Sequence, residues 1–401
     1  MSKPNVALNN LRAVVIVIVL AFHSALAYLA SVPAQTSPFG EAPFTWQAFP
    51  VVDPQRWMGF DVFCAWQDVS LMSLMFFLSG LLAAGSLRRK GAWAYVSDRL
   101  WRIGVPFVAA IIFLSPLAFY PAYLARTAQP SFSGFWQQWF SLPFWPSGPE
   151  WFLWQLLIAN VFAAVVFAVV PRVLEGASRV AAWSGEHPVR FYGLLVAVSA
   201  VAYVPLALIY SPWSWSSFGP FSMQLSRPAH YLVYFFAGFV LGAYALDRGL
   251  LASDGPLARH WLRWWGAAAA GFCLWAGLTA LTRPDWSEAN PIIQAASTLA
   301  FPIACAGGGI FLLAVCLRFS SRRYWVLDSL SANAYSMYLI HYVFVVWLQY
   351  ALVGTGLYTF VKYAIVLTGA LVMSWSSSVA FERVFGAQLV AVRRAVSTVP
   401  H

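Results

Sequence analysis

Ten apolar stretches, most near 20 residues, recur along the chain at roughly 11–31, 69–87, 105–124, 150–170, 191–210, 229–246, 264–282, 291–317, 334–352 and 359–380. A helix needs about 20 apolar residues to cross roughly 30 Å of hydrocarbon, so each stretch predicts a membrane-spanning helix. They continue almost end to end. The pattern predicts an all-α, polytopic integral membrane bundle of about ten transmembrane helices over residues 1–385, with a short basic tail over 386–401. At the N-terminus, Lys3, the apolar run and Ala25, Ala27 and Ala30 resemble a secretory leader. The run is nonetheless long enough to span and contains His23, which predicts a retained helix.

Composition agrees with the pattern. Hydrophobic residues make up 61% of the 401 residues and charged residues only 9%, against about 25% charged in soluble domains. The net charge of +10 would suggest nucleic-acid binding in a soluble protein. Here the basic residues cluster between apolar stretches, and no nucleic-acid partner is expected. With the N-terminus on the cytoplasmic side, 19 of the 24 Lys and Arg fall inside and 5 outside: Arg56, Arg126, Arg227, Arg283 and Lys362. That asymmetry predicts that both termini are cytoplasmic and that the span number is even. The four cysteines form no CxxC pair, so neither a zinc site nor a disulfide framework is expected. The expected outer loops, 32–68, 125–149 and 211–228, are rich in Pro, Trp, Phe, Ser and Gly. They read as an interfacial aromatic belt, with a sugar- or lipid-stacking rim as the second reading.

Candidate chemistry lies inside the apolar stretches. Arg12 and His23 are eleven residues apart, about 16 Å and close to three helical turns. They share one stripe, with Arg12 expected at the cytoplasmic edge and His23 near the midplane. An ionisable group at that depth is a functional candidate by default, and imidazole can act as a general base near neutral pH. His341 is expected about 12 Å deep, counted from Asn333, with Tyr338 on the same face. The run Arg88, Arg89, Lys90, Arg99 and Arg102 offers forked donors for phosphate oxygens, or a simple topology signal that also meets anionic membrane lipids. Ser79-Gly80 would allow close helix packing or passage of a thin acyl carrier. Glu150 would cap the fourth span or bind hydroxyls.

Five segments in order carry a resemblance. They are Asn10-Leu11-Arg12 followed by His23-Ser24; Phe76-Phe77-Leu78-Ser79-Gly80; Asp98-Arg99-Leu100 with Arg102-Ile103 and Pro106; Gly148-Pro149-Glu150-Trp151-Phe152; and Ser331-Ala332-Asn333-Ala334-Tyr335 followed by Tyr338-Leu339-Ile340-His341. Together they resemble the membrane acyltransferase-3 family over nearly the whole chain, nearest to its glucan-succinylation subgroup. The resemblance implies transfer of an acetyl or succinyl group from a coenzyme A thioester to a hydroxyl of a carbohydrate or glycolipid. It implies catalytic roles for His23 and Arg12. The donor would meet Arg99, Arg102, Arg88, Arg89 and Ser79, and the acceptor would meet Glu150, Trp151, Tyr338 and His341. No permanently bound cofactor is expected, because acyl-coenzyme A is a substrate. The bacterial inner membrane is the expected location, and a homodimer is compatible with the sequence. The alternative reading is a multi-span transporter or flippase with the intramembrane histidines as a proton relay. That class favours two matching halves with broken helices, and no such repeat stands out.

Overall fold

The computed structural model describes residues 5–32, 37–170, 172–283 and 285–397, with side chains described up to Val384. Lys3 and the end of the expected basic tail, 398–401, lie outside the described residues, as do the side chains of 385–397, including Arg393 and Arg394.

Ten long helical segments carry the architecture. They are α1 (Val6–Ala25), α2 (Met58–Lys90), α3 (Ala92–Arg126), α5 (Trp151–Val169), α7 (Pro188–Tyr210), α8 (Pro228–Tyr244), α9 (Trp261–Thr282), α10 (Pro291–Phe319), α11 (Trp325–Leu352) and α12 (Thr359–Ser397). Two shorter helices, α4 (Phe132–Ser141) and α6 (Val173–Glu186), and a hairpin of β1 (Trp215–Phe218) and β2 (Phe221–Gln224) complete the fold. Eight of the long segments are long and apolar enough to cross a membrane on length and hydropathy alone. Of the other two, α8 has 17 residues and α11 carries Asn333, His341 and Gln349. Each nevertheless coincides with an expected span. The chain is an all-α polytopic membrane bundle.

Two ends of the bundle are defined by contacts. At the basic end, Asn10 donates to the carbonyls of Ser320 and Arg322, and Arg88 donates to Ala243. At the loop end, Trp154 donates to Ser222, and Arg126 donates to Pro50. Helices α2 and α10 are the most enclosed; α7 and α12 turn mainly outward, with residues such as Val201 77% exposed in the protein alone. Without water to satisfy backbone groups, such faces must be helical and apolar to meet lipid.

Close packing sets α2 against α8. A Cβ at Gly80 would lie 1.9 Å from the Phe235 carbonyl oxygen, and one at Gly238 would lie 2.0 Å from that of Phe77. The two backbones therefore touch, as small residues permit in membrane bundles.

Helix α3 begins earlier than its hydropathy suggests. Asp98, Arg99 and Arg102 lie within the helix rather than ahead of it. Wide π turns occupy Leu100–Gly104 and Ala110–Leu114, each ending two residues before a proline, Pro106 and Pro116. A proline has no N–H for the carbonyl four residues back, and helix α11 takes up two of the carbonyls this frees. The Tyr335 hydroxyl donates to the Arg102 carbonyl at 2.7 Å, four residues before Pro106. The Trp347 indole donates to the Leu117 carbonyl at 2.9 Å, four residues before Pro121.

The loop aromatics divide into two sets. Phe39, Trp46, Phe119, Phe135 and Trp139 are buried in a cap at the loop end. Phe132, Phe140 and Trp145 are exposed. Only the second set matches the expected belt.

Candidate active site

His23 stands in the last turn of α1, which runs from Val6 and stops at Ala25. The expected span of 11–31 is displaced by about five residues, because the chain leaves the α-helix for a short 3-10 turn at Leu26–Tyr28. His23 thus sits towards the loop end and not at the midplane, while Arg12 is inside the second turn and not at the edge. Their spacing along one continuous helix is unchanged, about 16 Å.

Helix α11 brings His341 to His23. His341 is fully buried, and its Nε2 lies 3.2 Å from Nδ1 of His23. The rings are 4.9 Å apart at 59°. His341 is about 12 Å along α11 from Asn333, as expected, but about 24 Å from the helix start at Trp325, because the helix begins eight residues before Asn333. The two histidines lie at one level, as their ring contact requires. Each ring has a backbone partner: His23 Nδ1 is 2.9 Å from the Val19 carbonyl oxygen, and His341 Nδ1 is 2.7 Å from that of Tyr338. Two turns further on, the Gln349 amide donates to the carbonyls of His23 at 2.9 Å and Ser24 at 3.2 Å.

The start of the fourth expected span closes over this pair. Gly148 has φ +52, and a Cβ there would meet Glu150 Oε2 at 3.2 Å and the Tyr342 ring at 3.3 Å. The positive φ favours glycine here, and the space beside it is tight. Glu150 is 3% exposed and belongs to none of the ion pairs among the described residues. The Tyr338 hydroxyl donates to the Pro149 carbonyl, and Tyr342 meets His23 edge-on at 5.3 Å. Trp151 is drawn the other way, against Trp215 and Tyr231. Tyr338, His341, Glu150 and His23 therefore gather at one place, with Trp151 at its side.

At the basic end the candidate cations differ in what they already hold. Arg12 is half-buried and takes part in no ion pair or hydrogen bond among the described residues. Arg99 lies 4.8 Å over the Tyr95 ring, and its buried Nε has no partner. Arg102 is exposed and paired with Asp98 at 2.9 Å, an acid that Lys90 also engages at 3.0 Å. Arg88 is tied to the Ala243 carbonyl, and Arg89 is exposed. Ser79 is half-buried beside the Gly80 contact.

The model of the acyltransferase-3 family, described as an acyltransferase domain, matches residues 5–379. The chain belongs to this acyltransferase family. Among curated proteins and among solved structures no match was found. Membership makes the chain a membrane acyltransferase. Within the acyltransferase-3 domain, the five motifs acquire physical roles. Phe76 of the second motif stacks on Tyr231 at 4.9 Å, and its Gly80 makes the α2–α8 contact. Tyr335 of the last motif caps the carbonyl of Arg102 in the third.

Tyr342 and Gln349 were not among the residues singled out from the sequence. Gln349 carried a signal, as an amide in an apolar helix. A second buried polar group was also missed. His230 lies between Ser73 Oγ at 3.0 Å and Ser199 Oγ at 2.6 Å, next to Arg227, which grips Asp68 at 2.8 and 2.6 Å. These residues lock α2, α7 and α8 together.

Proposed function

We propose that the protein is an O-acyltransferase that moves an acyl group, acetyl or succinyl, from a coenzyme A thioester to a hydroxyl of a carbohydrate or glycolipid. The observation that carries this reading is the single stripe of α1. It joins an unpartnered guanidinium, Arg12, to an imidazole about 16 Å away that faces a second imidazole. In this reading the donor approaches from the basic end of the bundle, taken as cytoplasmic. Its phosphates meet Arg12 and Arg99, neither of which is held in an ion pair among the described residues. The pantetheine arm runs along α1 and delivers the thioester to His23. The acceptor enters from the loop end, where Glu150 and Tyr342 offer a carboxyl and a hydroxyl to its hydroxyl groups.

His23 takes the proton of the acceptor hydroxyl as the oxygen attacks the thioester carbonyl. The carbon–sulfur bond then breaks, and the leaving thiolate recovers the proton from the imidazolium. The products are an ester and free coenzyme A. A two-step route through an acyl-histidine would use the same ring.

His23→Ala should abolish acyl transfer while leaving a folded, membrane-inserted protein. The assay is thioester consumption and ester formation by protein purified in detergent. Near-normal turnover by the variant would rule out His23 as the reacting group.

A further inference from the structure

We infer that His341 is a positioning residue that, together with the Val19 carbonyl, holds the His23 proton on Nδ1 and leaves Nε2 as its reacting atom. The inference rests on His23 being the base, and it follows from the direction each hydrogen bond must have. The Tyr338 carbonyl oxygen, 2.7 Å from His341 Nδ1, can only accept, so that nitrogen bears hydrogen. A neutral imidazole has one N–H and one lone pair, which makes His341 Nε2 an acceptor. That lone pair is aimed at His23 Nδ1 from 3.2 Å, so His23 Nδ1 is the donor. The Val19 carbonyl, 2.9 Å from the same nitrogen, makes the same demand independently. Two acceptors therefore hold the single proton of His23 on Nδ1, and the lone pair is on Nε2.

The arrangement excludes a protonated His341. Its Nε2–H would face His23 Nδ1, which would then have to accept, and the Val19 carbonyl would be left opposite a lone pair. It also serves the reaction. When His23 takes a proton on Nε2, its Nδ1–H stays between a carbonyl and a neutral imidazole, both of which favour the cation. A carboxylate fills that place in the serine-hydrolase triad. Among the described residues no acidic group is hydrogen-bonded to either ring here. Gln349 supports the geometry from the other side by holding the His23 and Ser24 carbonyls. Helix α11 thus grips both the ring and the backbone of the reacting residue.

Nitrogen NMR on protein labelled with 15N-histidine, in detergent micelles, tests this directly. His23 is assigned by the signals that vanish in His23→Gln. The wild-type protein should show a protonated Nδ1 and a lone-pair Nε2 on His23. His341→Leu leaves the Val19 carbonyl as the remaining acceptor, so the proton should stay on Nδ1 while the Nδ1 signal shifts on losing its second acceptor, and kcat should fall by roughly tenfold, the scale of one lost hydrogen bond to the charged ring, with little change in donor KM. His341→Gln places an amide oxygen where Nε2 was, and should restore the pattern and part of the rate. A wild-type His23 protonated on Nε2 would overturn the inference, whether or not either variant folds. So would an unchanged His23 Nδ1 signal or unchanged kcat in folded His341→Leu. Activity in His23→Ala would instead defeat the catalytic reading, and the nitrogen pattern would still report the tautomer.

Discussion

At the scale of single residues, the decisive contrast is between cations that are free and cations that are spent. Arg12 has no internal partner among the described residues, and Arg99 has a buried Nε without one. Arg102 shares Asp98 with Lys90, and Arg88 holds a helix-end carbonyl. A phosphate must displace an existing partner to use the second pair, but not the first. Arg12→Gln and Arg99→Gln should therefore each raise the donor KM by roughly tenfold, the scale of one lost charge-assisted bond. Arg102→Gln should raise it less. Steady-state kinetics with varied acyl-coenzyme A decide the matter; a larger effect at Arg102 than at Arg12 would mean that donor phosphates do not bind as described. Much of this site was legible beforehand. The eleven-residue interval put Arg12 and His23 on one stripe, and polar residues in apolar stretches marked His341 and Glu150. The contact between the two imidazoles was not legible, because it depends on where α1 stops and how α11 lies against it. Nor was the pairing of Asp98, which a linear reading leaves as one more polar residue in a basic run.

At the scale of elements, hydropathy located the helices but not their ends. The apolar stretch at 69–87 is the inner part of Met58–Lys90, and that at 105–124 is the inner part of Ala92–Arg126. Polar side chains can leave a helix for an interface, whereas a broken backbone leaves carbonyls and N–H groups without partners. The helices therefore continue through Gln67, Asp68, Asp98 and Arg99. The prolines of α3 show the same constraint from within. Pro121 frees the Leu117 carbonyl in an outward-facing, apolar part of the helix, and Trp347 supplies the missing donor from α11. Trp347→Phe should therefore cost about 1–3 kcal/mol, the range for orphaning an acceptor away from water. In a Pro121→Ala background the helix regains its own N–H, and the same substitution should cost clearly less. Thermal or denaturant unfolding of the four proteins in detergent gives the cycle. Strictly additive losses would show that the indole does not serve that carbonyl.

At the scale of the whole molecule, the two ends of the bundle are chemically unlike. Each of the five basic residues assigned to the outside has an internal partner: Arg56 the Asp53 and Val32 carbonyls, Arg126 the Pro50 carbonyl, Arg227 Asp68, Arg283 the Trp213 ring, and Lys362 Asp53. Lys362 and Asp53 are each 1% exposed, so that pair is removed from solvent altogether. Among the described residues each of these loop-end cations is engaged inside the protein, while the opposite end keeps Arg12, Arg99 and the exposed Arg89 outside any ion pair. The count of basic residues predicts an orientation but not that Arg227 and Lys362 would be paired with acids, since those two pairings join segments far apart in the chain. With His23 in the loop-end turn of α1, the proposed donor arm entering beside Arg12 would carry the acyl group most of the way across within the protein, without an aqueous channel. Donor and acceptor should accordingly approach from opposite faces. Proteoliposomes of known orientation test this, with acyl-coenzyme A and a neutral oligosaccharide supplied on chosen sides. Donor at the basic face with acceptor at the loop face should give ester, with free coenzyme A released at the basic face. Donor supplied only at the loop face should give none, and equal product from either face would overturn the two-sided arrangement.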